Sequence, residues 1–107
     1  MAFALDGRNQ SRVAMNSAGS IDVIIRALSR YLRVNPLASD TLEGIAHWWL
    51  PSMIVGADEL ELACRWLERA GVIEAARAAD GRVHYRRPGL DSAIDARLDR
   101  LIAGERA

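Results

Sequence analysis

Lysine is absent from this chain of 107 residues, and all fourteen of its basic residues are arginines. Fourteen acidic residues balance them, so no overall positive charge attracts the chain to nucleic acid or to an anionic membrane. The single cysteine, Cys64, excludes an intramolecular disulfide and favours a reducing compartment, for which we expect the cytoplasm. Because no apolar run is long enough to cross a bilayer and no signal peptide is visible, we expect no membrane partner.

Residues that carry catalysis are also scarce. The sequence has no Gly-rich phosphate loop and no serine, histidine and aspartate pattern typical of a nucleophilic enzyme. His47, His84 and Cys64 are the candidate soft-metal ligands, but their spacing matches no zinc motif. Cys64 also falls on the apolar face of a predicted helix, where a free cysteine usually acts as a small hydrophobe. We therefore expect a non-enzymatic protein without a metal or a cofactor.

Helical periodicity follows a polar N-terminal stretch. Residues 1–19 show no sustained pattern, which indicates a flexible N-terminal arm. A first helix is predicted at about 20–34, where apolar residues recur at helical spacing, and Asn35-Pro36 ends it. A second helix is predicted at about 40–50, with Asp40 as its cap and Glu43 three residues later. Trp48 and Trp49 are adjacent and cannot both face one core, so we expect one of them at the surface.

The third predicted helix, at about 58–70, leads into a hairpin. Gly71 follows the helix as a C-terminal cap, which requires a positive φ. The segment 72–87 then reads as two strands, and Asp80-Gly81 predicts a two-residue type I′ turn between them. In the second strand, apolar and polar residues alternate from Arg82 to Arg86, which is typical of a strand with one buried face.

This succession of helix, glycine and hairpin resembles the second half of a winged helix-turn-helix. The resemblance covers Ile21 to Arg87 and implies a mainly α protein with a small β-hairpin, an α+β fold, with its winged-helix domain at 20–88. The segment Leu50 to Ala57 is longer than the tight turn of DNA-reading members of that superfamily. The helix positions that match buried positions of the superfamily are Leu60, Ala63, Cys64 and Leu67.

Residues 89–107 carry a predicted C-terminal helix at about 91–103. Ile94, Leu98 and Leu101 form an apolar stripe on it. Such a helix either folds back on its own domain or pairs with the same helix of a second chain. Because small regulators of this kind often dimerise through flanking helices, we favour pairing and expect a homodimer.

The resemblance implies a DNA-binding transcriptional regulator, whose third helix enters the major groove while the wing holds phosphates. The wing concentrates arginine, which suits phosphate and guanine recognition. The partner expected on this hypothesis is double-stranded DNA. The candidate DNA contacts are Arg65, Arg69, Arg77, Arg82, His84, Arg86 and Arg87.

Charge favours an alternative, a protein-interaction or adaptor module. Between Asp40 and Glu61 the chain has five acidic residues and no arginine, and affinity for DNA depends on neutralising phosphates. Leu62 and Trp66 lie four residues apart on the nominally exposed face of the third helix, where they could dock a protein partner. The candidate protein contacts are Trp48, Leu62 and Trp66, with Ile94, Leu98 and Leu101 on the last helix. If DNA is the partner, the wing is a better main contact than the acidic helix.

Overall fold

A computed structural model of the chain describes residues 21–105, and the arm predicted at 1–19 lies outside the described residues. Helix α1 occupies residues 21–34, close to the predicted bounds. Its buried side chains include Ile24, Leu28 and Leu32, which recur at helical spacing. The helix ends at Asn35, whose backbone amide and side-chain Nδ2 both donate to the Tyr31 carbonyl, at 2.8 and 3.0 Å.

A short strand, β1 (Ser39–Asp40), precedes the second helix and was not predicted. The helix begins at Leu42, so the capping position falls on the residue after Asp40. Thr41 caps α2 (Leu42–Gly44) instead, and its Oγ1 accepts from the Gly44 amide at 3.2 Å. The expectation that Asp40 caps the helix is therefore wrong, because that residue pairs in the sheet with Tyr85.

The second helix continues as a π-helix at Ile45–Trp49, closed by a hydrogen bond from the Leu50 amide to the Ile45 carbonyl. Trp49 is buried and stacks on Tyr31 with ring centroids 4.9 Å apart. Trp48 is 67% exposed. The prediction that only one of the two tryptophans enters the core is confirmed.

Helix α3 (Ala57–Arg69) buries Leu60, Ala63, Cys64 and Leu67, all of which the sequence places on its apolar face. Gly71 follows it with φ 78°, as a C-terminal cap requires. In the long segment before α3, Met53 and Val55 pack against the core while Ile54 is exposed. This segment therefore belongs to the packed domain.

The hairpin consists of β2 (Glu74–Arg77) and β3 (Val83–Arg86), and β1 joins it to give an antiparallel sheet of order β1-β3-β2. The predicted type I′ turn is wrong, because it needs positive φ at two residues and only Gly81 of this turn has one (φ 84°). Instead, the Gly81 amide donates to the Ala78 carbonyl at 2.9 Å and the Ala78 amide to the Arg82 carbonyl at 2.8 Å. Ala79, Asp80 and Gly81 thus form a three-residue loop.

Helix α4 (Ser92–Ile102) is capped by Asp91, whose Oδ1 accepts from the Ile94 amide at 3.0 Å. Ile94, Leu98 and Leu101 are buried in the same core as α1 and α3. The stripe proposed as a dimer interface is thus covered within its own chain, because α4 folds back on the domain. In residues 21–105 the fold is α+β, with four helical segments and one three-stranded sheet.

Candidate functional site

Two arginines lie at the tip of the hairpin, which we call the wing tip (77–82). Arg77 donates from Nη1 to the Gly81 carbonyl at 2.8 Å, and both Arg77 and Arg82 are exposed. Within residues 21–105 no carboxylate oxygen lies within 4.0 Å of either guanidinium. Asp80 adds one negative charge to the tip, where its Oδ1 accepts from the Arg82 amide at 2.9 Å. The wing tip therefore offers two arginines to an anionic partner.

Two other candidate DNA contacts already have carboxylate partners. Arg86 pairs with Glu74 across the hairpin, with 3.0 Å between Nε and Oε2. Arg65 pairs with Glu61 one turn earlier on α3, with 3.1 Å between Nη2 and Oε2. Because each arginine is neutralised by a neighbouring acid, neither adds much positive potential for a phosphate.

Arg87 is buried and faces inward, although the sequence placed it with the wing arginines. Its side chain is 2% exposed, and Nη1 lies 2.9 Å from Asp95 Oδ1 on α4. Nε donates to the Gly89 carbonyl at 3.1 Å, and Nη1 also approaches the Leu32 carbonyl of α1 at 3.5 Å. Arg87 therefore joins the base of the hairpin to α1 and α4, and it is removed from the set of candidate DNA contacts.

His84 is half-buried, and its Nε2 is buried without a hydrogen-bond partner in the described part of the chain. One of the two imidazole nitrogens is therefore inaccessible to a phosphate. His84 is a poorer candidate contact than the two arginines of the wing tip.

Arg69 lies at the end of α3, in a cleft that α3 forms with α4. The cleft has a volume of about 530 Å³. The sequence had singled out Arg69 and Trp66 but not the α4 arginines that share this cleft. The residues that line it are Trp66, Arg69, Ala70, Arg97, Arg100, Leu101 and Glu105.

The remaining candidate protein contacts differ in their exposure. Leu62 is 49% exposed on α3, whereas Trp66 is half-buried and packs against the core. Trp48 projects from the π-helix and meets His47 edge to face, with ring centroids 4.5 Å apart. Leu62 and Trp48 are therefore the apolar side chains of this set that remain accessible.

Cys64 lies fully inside the core. Burial raises the pKa of its thiol from 9.0 to about 12, and the nearby charges of Glu68 and Glu61 add to that increase. A protonated thiol is a poor nucleophile and a poor metal ligand. In residues 21–105, no three side chains of histidine, cysteine, aspartate or glutamate come together in an arrangement that could hold a metal ion.

No helix among the described residues has the length and apolar character needed to cross a membrane. A comparison of the chain with protein-family models, with curated proteins and with solved structures finds no match.

Proposed function

We propose that this protein is a non-enzymatic winged-helix binding protein that contacts the phosphate backbone of double-stranded DNA with its wing tip. The observation that carries the proposal is the pair of exposed arginines, Arg77 and Arg82, neither of which has a carboxylate partner among residues 21–105. The order of elements supports the winged-helix assignment, since α3 leads through Gly71 directly into the hairpin.

Helix α3 is an unsuitable element for the major groove. Its first turn carries Asp58 and Glu59, and the positive charge of Arg65 is balanced by Glu61. These acids would face the phosphates of a groove, and each would oppose binding. The proposed contact is therefore made mainly to phosphates, which position a protein on the duplex without reading its sequence.

We would measure fluorescence anisotropy of a labelled duplex of mixed sequence, titrated with the full chain at about 50 mM salt, where phosphate contacts are strong. We expect the double substitution Arg77→Gln with Arg82→Gln to weaken binding by about 100-fold or more, because two charged contacts are lost. Arg30→Gln is the control, since it removes one exposed arginine of α1, outside the hairpin.

Two results would contradict the wing proposal. One is the absence of binding at low salt. The other is a loss in Arg30→Gln of about half the double variant's change in log Kd, which would show that binding depends on total charge rather than on the wing tip.

A protein partner is the second candidate, favoured by the exposure of Leu62 beside the acidic first turn of α3. Protein interfaces usually have an apolar core surrounded by a polar rim. On this hypothesis Leu62→Ser abolishes retention of a partner in a pull-down and leaves duplex binding unchanged. If Leu62→Ser retains the same proteins as the wild type, the α3 surface is not their docking site.

A further inference from the structure

The cleft between the end of α3 and α4 is rich in arginine, and none of its arginines belongs to the wing tip. Three arginines line it, Arg69 from α3 and Arg97 and Arg100 from α4, against one acid, Glu105. Counted over the described residues, the formal charge of the lining is therefore three minus one, or +2. In residues 21–105, no carboxylate oxygen lies within 4.0 Å of any of these three guanidiniums.

Arg97 is held in place by the backbone at the end of α3. Its Nη1 donates to the Ala70 carbonyl at 2.9 Å. Gly71 permits this approach, since a Cβ on that residue would lie 2.6 Å from the same nitrogen. One N–H of the guanidinium is used, and the fork keeps further donors for a ligand. This arginine is therefore positioned before any ligand arrives.

Arg69 and Arg100 lie in the last turns of their helices. The negative C-terminal end of a helix dipole stabilises a cation, so an arginine is favourable in the last turn of each of these helices. This interaction leaves the N–H groups of each guanidinium available as hydrogen-bond donors, however. Within residues 21–105 neither side chain forms a hydrogen bond or an ion pair. Both guanidiniums can therefore turn toward an anion in the cleft.

The cleft also has an apolar part. Trp66 is half-buried and lines one wall, and the buried Leu101 lies beside it. An indole offers a flat surface on which a planar ring can stack. The volume of about 530 Å³ lies within the range of small-molecule sites. An apolar wall that includes an indole, next to several guanidiniums, suits a ligand that is planar at one end and anionic at the other.

We propose that this cleft binds a small phosphate monoester that carries a planar ring, such as a nucleoside monophosphate. A dianion matches the +2 formal charge of the lining, and guanidiniums bind phosphate through paired N–H donors. The ring stacks on Trp66. This site is separate from the wing tip and does not depend on the DNA proposal.

Isothermal titration calorimetry of the full chain with AMP tests the site. We expect binding with a Kd below about 1 mM, and weaker binding of adenosine and of inorganic phosphate, which supply only one half of the ligand each. Arg97→Gln should weaken AMP binding about tenfold, because a charged hydrogen bond is lost, and Arg69→Gln with Arg100→Gln should weaken it further, because two arginines are removed. Arg30→Gln should leave it within about twofold, because that exposed arginine is outside the cleft.

Circular dichroism establishes that each variant is folded before titration. No binding of AMP at millimolar concentration would overturn the proposal. So would equal affinity for inorganic phosphate and AMP, which would remove the role of the ring, or an equal loss in the Arg30→Gln control.

A duplex titration separates this site from the DNA proposal. We expect the cleft variants to bind the labelled duplex as the wild type does. If Arg97→Gln weakens duplex binding while the wing variants do not, the cleft is part of a DNA surface, and both proposals are wrong in their present form.

Discussion

The buried ion pair between Arg87 and Asp95 should be the most sensitive polar contact in the domain. The Arg87 side chain is 2% exposed and its Nη2 is already without a hydrogen-bond partner in residues 21–105. Asp95→Ala would leave this guanidinium buried with only the carbonyls of Gly89 and Leu32. A buried charge that loses its partner destabilises a protein strongly, because it can recover neither its ion pair nor its hydration.

The size of the effect follows from the exposure of the two side chains. Removing one partner from a fully buried pair costs about 3–5 kcal/mol. Asp95 is 31% exposed, so water reaches part of the pair and we expect a loss of about 2–3 kcal/mol. With a urea m-value of about 1–1.5 kcal/mol/M for a domain of this size, the unfolding midpoint should fall by about 2 M.

Urea denaturation followed by circular dichroism measures this midpoint, and Asp99→Ala is the control. Asp99 pairs with Arg33 at 3.0 Å, but both side chains are well exposed, so its loss should cost less than about 1 kcal/mol. Adding Arg87→Met to Asp95→Ala should recover part of the stability, because the unpaired charge is then gone. Equal midpoints for Asp95→Ala and Asp99→Ala would refute this reasoning.

Three further predictions concern the backbone, the core and the thiol. Gly71→Ala should destabilise the domain more than Gly81→Ala in the same urea assay. Both glycines have a positive φ, but only at Gly71 would a Cβ meet a side chain, that of Arg97. Equal losses of stability would show that this contact is unimportant. Leu98→Ala should lower the free energy of unfolding by about 2–5 kcal/mol, because Leu98 is buried within its own chain. The molecular mass measured by size-exclusion light scattering should not change. A shift from dimer to monomer with stability retained would contradict the packing of α4 on its own domain. Burial raises the pKa of Cys64 to about 12, so iodoacetamide should label this thiol at pH 8 only after the protein unfolds. The free energy of unfolding should also fall as the pH rises from about 9 toward 12, because the thiol of the unfolded chain ionises first. Rapid labelling of the native protein would contradict the burial of Cys64.

Helices α1, α3 and α4 could be predicted from the sequence because each depends on a local pattern. Leu60, Ala63, Cys64 and Leu67 recur at helical spacing, and this spacing alone is enough to define one buried face. Gly71 was predictable for the same reason, since its role is set by the helix before it.

The strand β1 could not be predicted in this way. Two residues are too few to show an alternating pattern, and the strand exists because Ser39 and Asp40 meet Arg86 and Tyr85, far away in the sequence. Asp80-Gly81 predicted the position of the turn, whereas its loop length depends on the register of the strands that flank it.

The candidate site was partly predictable. Composition identifies the arginines but not their partners: Arg86 and Arg87 are adjacent, yet one is exposed and paired within the hairpin while the other is buried against α4. The cleft is similar, because Arg69 and Arg97 meet only when α4 folds back. Charge counted along the chain therefore overestimated the positive surface of the wing, since ion pairs and burial are properties of the tertiary structure.

The most direct test of the wing proposal is the salt dependence of duplex binding. Each phosphate contact contributes about −0.9 to the slope of log K against log salt concentration, so two arginines per chain should give a slope of about −1.8 and a loss of roughly twelvefold between 50 and 200 mM salt. In Arg77→Gln with Arg82→Gln this slope should fall nearly to zero. A slope that is unchanged in the double variant would contradict the assignment of DNA binding to the wing tip.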